Sequence, residues 1–134
     1  MDRRDRVRSG AAKSLWLALC LSFGLALAAC DGAQDREARY LERGQELFDQ
    51  GDYVKASLEF RNALQINPTS IHAMFYLGRI AESQGDLSNA LGAFTKVVEQ
   101  DPKNVPALLK ISQYALLTQN LDEARSRADQ VLAV

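Results

Sequence analysis

Reactive side chains are scarce in this sequence of 134 residues, which holds two cysteines, one histidine, one tryptophan and three prolines. A lone histidine (His72) with no second one nearby cannot form the His/Cys set that a zinc ion needs, and no metal is expected. A Ser–His–Asp arrangement would have to draw on His72, and no serine stands in a nucleophile motif. No glycine-rich phosphate loop occurs. Strand signals are missing too. From Cys30 onward Asp and Glu outnumber Lys and Arg, within a net charge of −1 overall. Nucleic-acid binding, which requires clustered positive charge, is therefore not expected. These absences argue against an enzyme, a cofactor and a small-molecule substrate.

What the chain does have begins with an apolar run, residues 15–29, "LWLALCLSFGLALAA", behind a basic leader of Arg3, Arg4, Arg6, Arg8 and Lys13. A basic start, an apolar stretch and small residues before a cut site make a secretory signal. Only 17 residues separate Lys13 from Asp31, the short limit for a spanning helix. The run ends in Leu27-Ala28-Ala29-Cys30, which resembles a bacterial lipobox. That resemblance implies a signal peptide over 1–29, a diacylglycerol on the Cys30 thiol, cleavage before Cys30, and an acyl chain such as palmitate on the new amino terminus. An uncleaved anchor with an incidental cysteine is the alternative. Cys20 would leave with the signal, so no disulfide framework is expected. Asp31 resembles an inner-membrane retention signal, with the outer membrane as the other location. Residues 30–36 are then the lipidated Cys and a short linker, "DGAQDR", spanning at most roughly 20 Å extended. A partner of the folded body would have to lie at the membrane.

The body repeats itself at a shift of 34 residues. Leu41-x-x-Gly44 falls on Phe75-x-x-Gly78 and Leu109-x-x-Ser112. Gly51-Asp52 falls on Gly85-Asp86 and Gln119-Asn120, Ala56 on Ala90 and Ala124, Phe60 on Phe94 and Ala128, Pro68 on Pro102. Apolar residues recur at helical spacing in between. These residues resemble the tetratricopeptide repeat (TPR), which implies an all-α solenoid of antiparallel helix pairs over 37–134. Its units are 37–70, 71–104 and 105–134, the last one incomplete. Helices are predicted near 37–50, 54–66, 71–84, 88–100, 105–118 and 122–134. Gly51 and Gly85 suit left-handed helix ends, with Asn120 expected to take that role in the third unit. Asp52, Asp86 and Asn120 suit helix N-caps, and Asn120 with Glu123 has capping-box spacing. Ala128 in place of phenylalanine predicts a thinner third core. The third unit stops at Val134 before its expected proline, so the chain reads as the N-terminal part of a longer array.

In TPR proteins the first helix of each unit lines the binding groove. Carried over by position, that face takes in Ala38, Leu41, Gln45, Phe48 and Asp49, then His72, Phe75, Arg79, Glu82 and Ser83, then Pro106, Leu109, Gln113, Leu116 and Leu117. The candidate contacts are Gln45, Phe48, His72, Phe75, Arg79, Glu82, Leu109, Gln113 and Leu116, a mixture suited to a peptide or helix. Structural roles compete: the leucines against a further helix, Phe75 between helices, Arg79 and Glu82 as a pair. Chaperone-binding TPRs grip a terminal carboxylate with Lys and Asn where Leu41 and Gln45 stand here, so that clamp is missing. The resemblance as a whole implies a membrane-anchored, periplasm-facing scaffold that binds a protein partner in a bacterial envelope assembly. It is most similar to TPR lipoproteins of exopolysaccharide and PEP-CTERM sorting systems. A non-catalytic front of a longer envelope enzyme, or an outer-membrane or pilus assembly lipoprotein, shares the layout.

Overall fold

Helices account for nearly all of the structure, and there is no strand among the described residues. The computed structural model describes residues 32–133; the signal segment, Cys30 and Val134 lie outside them. Six helices follow in order: α1 (32–49), α2 (Tyr53–Ile66), α3 (Ile71–Ser83), α4 (Leu87–Gln100), α5 (Val105–Leu117) and α6 (Leu121–Leu132). Each expected helix is present, with ends shifted by a residue or two. One difference is larger: the linker expected up to residue 36 is helical from 32. Ala33 to Ala38 contain no glycine, proline or β-branched residue, so the helix propagates backward at little cost.

The turn inside each pair is built the same way three times. Asp52, Asp86 and Asn120 cap the second helices, accepting from the backbone N–H of Lys55, Asn89 and Glu123 at 3.2, 3.1 and 3.3 Å. Asn104 caps α5 through the Ala107 N–H in the same manner. Gly51 and Gly85 hold φ at 78° and 76°, and the third left-handed residue is Gln119 at 58°, not Asn120. Asn120 needs a negative φ to cap α6 (φ −83°), so the left-handed step falls on the residue before it, in register with the two glycines. The capping box closes on one side only. The Glu123 carboxylate turns to Arg127 Nε at 2.7 Å, and the Asn120 N–H donates to the Ala115 carbonyl instead. Asn67 and Asp101 end α2 and α4 directly before Pro68 and Pro102.

Packing explains the small residues. A Cβ on Gly44 would lie 2.8 Å from the Phe60 ring, and one on Gly78 would lie 2.8 Å from Phe94. Both rings are fully buried. In the third unit the ring becomes Ala128, which is exposed, and the glycine becomes Ser112. The thinner third core is thus a paired change: without a ring to admit, the close approach is not needed. Ser112 is buried and its hydroxyl finds no partner. The core divides into two clusters. One gathers Ala56, Phe60, Ala63, Ala73 and Ile80; the other gathers Phe94, Val97, Leu108, Ile111 and Tyr114 with neighbours. Helix α3 serves both, turning Tyr76 and Leu77 to the first and Ile71, Met74 and Phe75 to the second. It packs against α2 and α4, and α5 against α4 and α6. These helices lie within one compact unit, Arg36–Val134.

Candidate functional site

Helical periodicity puts His72, Phe75, Tyr76 and Arg79 on adjoining strips of α3, because residues three and four apart are neighbours on a helix. Tyr76 is their centre. The Phe48 ring of α1 meets it edge-on at 5.1 Å, His72 stacks on it at 4.9 Å, and Phe75 stands edge-on at 6.2 Å. Tyr76 also stacks on the buried Phe60 at 5.0 Å, which ties the cluster to the core. The Arg79 guanidinium lies 4.5 Å over the Phe48 ring and 5.6 Å from that of Tyr76. Cation–π contacts of this kind contribute about 0.5–1 kcal/mol where solvent reaches them.

The expected Arg79–Glu82 pair does not form. Glu82 accepts from Lys110 Nζ of α5 through both carboxylate oxygens at 2.8 Å. Position explains the exchange, since Phe48–Tyr76 and Glu82–Lys110 are both 28 residues apart. The twelfth residue of one repeat therefore meets the sixth residue of the next. Sequence reasoning missed Tyr76 and Lys110, and this 28-residue spacing was the signal that would have found them.

The other candidates are placed as follows. Gln45 and Gln113 are exposed on α1 and α5. Leu109, Leu116 and Leu117 are 46%, 56% and 72% exposed, open faces on α5. Phe75 is half-buried against Phe94 at 5.4 Å, consistent with a packing role. It also lines a cavity of about 300 Å³ with Ile71, His72, Asn104 and Pro106. A larger cavity of about 420 Å³ lies elsewhere, between α2, α3 and the start of α4, and none of the candidate contacts lines it. Burial lowers the His72 pKa from its ordinary value, which keeps the ring neutral near pH 7. Burial, and then the nearby Glu82 charge, push the Tyr114 phenol up to about 12. Its buried hydroxyl faces the Glu82 carboxylate without reaching good hydrogen-bond geometry. No group of His, Cys, Asp or Glu among the described residues can hold a metal ion. No helix among them is long and apolar enough to cross a membrane.

The fold is that of a helical-repeat protein, with an aromatic and arginine cluster on its α1–α3 face. The Tetratricopeptide repeat family matches the sequence twice, over residues 41–105 and 81–134. Residues 41–134 belong to that family. No curated protein matches the sequence significantly. Among solved structures, MamA is 22% identical with a TM-score of 0.67, over 72% of this chain and 57% of its own. The TPR domain structure of P58(IPK) is 26% identical with a TM-score of 0.70, over 72% of this chain and 27% of its own. The second TPR of Spaghetti (RPAP3), bound to the HSP90 peptide SRMEEVD, is 15% identical with a TM-score of 0.67, over 77% of this chain and 97% of its own. The chain thus spans 57% and 27% of the length of the first two.

Proposed function

We propose that this protein is a lipid-anchored TPR scaffold of the bacterial envelope. Cys30 carries the acyl anchor, and the face of α1, α3 and α5 holds a peptide or helix from a membrane-bound partner. The observation that carries the partner role is the half-buried group of Phe48, Phe75, Tyr76 and Arg79, with Gln45 and Gln113 exposed at the matching repeat positions on α1 and α5. Aromatic and arginine anchors with a polar surround are what binding hot spots use. The HSP90 peptide on the RPAP3 structure supports a peptide as occupant of this kind of fold. The anchor rests on Leu27-Ala28-Ala29-Cys30 behind the basic, apolar leader. Exopolysaccharide export or PEP-CTERM protein sorting is the envelope system favoured by the sequence resemblance, with Asp31 favouring the inner membrane.

Two experiments test the two halves. Photo-crosslinkers at Gln45 and Gln113 in cells should capture one defined envelope protein, and a crosslinker at exposed Ser88 on α4 should not. Recovery of lipids and copies of the chain alone overturns the scaffold. Cys30→Ser should leave an unprocessed precursor without acyl label; normal maturation of that variant overturns the anchor.

A further inference from the structure

We infer that Arg79 is the anchor for an acidic side chain of the bound peptide, with an apolar side chain two positions away entering the cavity beside Phe75. This deepens the scaffold reading above and rests on it. The Arg79 guanidinium lies over Phe48 at 4.5 Å and near Tyr76 at 5.6 Å. Among the described residues, no carboxylate comes within ion-pair distance of it. Glu82, the acid one turn along α3, is engaged by Lys110 through both oxygens. Asp49, beside Phe48 in sequence, is exposed and makes no ion pair. The matching ninth positions of the other repeats are Gln45 and Gln113, which carry no charge. Arg79 is thus a cation with no ion-pair partner among the described residues, fixed over Phe48 while Asp49 stays out of reach, and an anion on the occupant would complete it.

The guanidinium decides what kind of anion fits, because its planar fork of N–H donors matches the two oxygens of one carboxylate. The rings also restrict the side chain beforehand, which lowers the entropy cost of binding. Along α3, Phe75 and Arg79 are one turn apart, about 6 Å. Alternate side chains of an extended peptide repeat at about 6.8 Å. The cavity of about 300 Å³ lined by Ile71, His72, Phe75, Asn104 and Pro106 therefore lies within reach of an apolar residue two positions from the acid. A chain terminus fits less well: the Lys/Asn grip on a terminal carboxylate is absent, with Leu41 and Gln45 in its place.

The test uses the full chain in detergent on an array of short peptides with amidated C-termini. They carry Leu-x-Glu or the matched Leu-x-Gln in varied flanks, and a third set carries Leu-x-Gln with a free C-terminal carboxylate. The Glu set should bind at least about tenfold tighter than the Gln set. Arg79→Gln should abolish that preference, so that the Glu and Gln sets bind alike whatever the overall affinity. Arg79→Lys, which keeps the charge but loses the fork, should retain part of the preference, so the inference stays testable if Arg79→Gln folds poorly. Equal binding of both amidated sets overturns the acidic-anchor inference and leaves the scaffold standing. Tighter binding of the free-carboxylate set overturns it in favour of a chain terminus. Binding of none of the peptides removes the peptide-groove reading and this inference together.

Discussion

Phe48 meets Tyr76 between the first and second repeats, and 34 residues further on Glu82 meets Lys110 between the second and third. The same two repeat positions carry an aromatic contact in one junction and an ion pair in the other. The first is fixed to the core, because Tyr76 also stacks on the fully buried Phe60 at 5.0 Å. The second stands nearer the solvent, its side chains 31% and 28% exposed for Glu82 and Lys110. Dispersion and apolar burial at such a contact stabilise by several times what a partly exposed ion pair does. A repeat protein is close to a sum of its units and junctions, so this pair of positions holds the tighter contact at the first junction, while the second junction draws its stability from Leu108, Ile111 and Tyr114 packed with Phe94 and Val97. The aromatic cluster around Tyr76 lies at the first junction.

Truncation at the seams gives the largest expected contrast. Tyr76→Ala removes a ring that touches Phe48, Phe60, Phe75 and His72, and should cost about 3–5 kcal/mol in chemical denaturation. Lys110→Met should cost at most about 1 kcal/mol, and molar salt should weaken the wild type toward the variant at this seam alone. Equal losses at the two positions would erase the distinction. Gly44→Ala comes next, at about 1–3 kcal/mol, since the added carbon would sit 2.8 Å from the Phe60 ring. In a Phe60→Leu background that penalty should fall below about 1 kcal/mol, and a double-mutant cycle reads the coupling. Persistence of the full penalty would show that the glycine serves the backbone instead of the ring. Gln119→Gly should stabilise by about 1 kcal/mol, because φ 58° strains any residue with a Cβ and glycine adopts it freely. A neutral result there would mean the third turn relaxes where the first two do not.

The repeat itself was legible because each matched residue answers one local need. Glycine at a left-handed turn, Asp or Asn at a cap and proline after a helix recur at 34 and reappear in the structure as read, whereas the packing of each phenylalanine on a glycine is visible only in the structure. Gln119 was misassigned because two needs compete for neighbouring residues, and the capping requirement of α6 takes Asn120. Residues 32–36 read as linker because they precede the repeat pattern, although their propensity is helical. The face of the site was legible as positions, but not its internal partners. Arg79 and Glu82, three apart, suit a pair within one helix; instead each turns outward, Arg79 to a ring on α1 and Glu82 to a lysine on α5. Side-chain choice between near-equal partners is settled by packing across 28 residues, which a reading of one helix at a time does not include.

The smallest expected effect concerns acid. His72 stacks on Tyr76 at the first seam, and the matching position of the third repeat is Pro106, so only the first seam carries a histidine. Burial favours the neutral ring, and the folded pKa lies below the unfolded value near 6.5. The contribution is therefore complete above that value and is lost as pH falls through the folded pKa, because the unfolded chain then binds the proton more readily. Protonation would place a second cation against the ring that Arg79 already approaches. Thermal melts between about pH 8 and 5 should show a wild-type midpoint that declines more steeply than that of His72→Gln, with the two curves meeting at the acid end. Lys110→Met should keep the wild-type slope, since His72 and its ring are untouched. Parallel curves for wild type and His72→Gln would show that the ring is hydrated on Tyr76 and that this seam resists acid as well as salt.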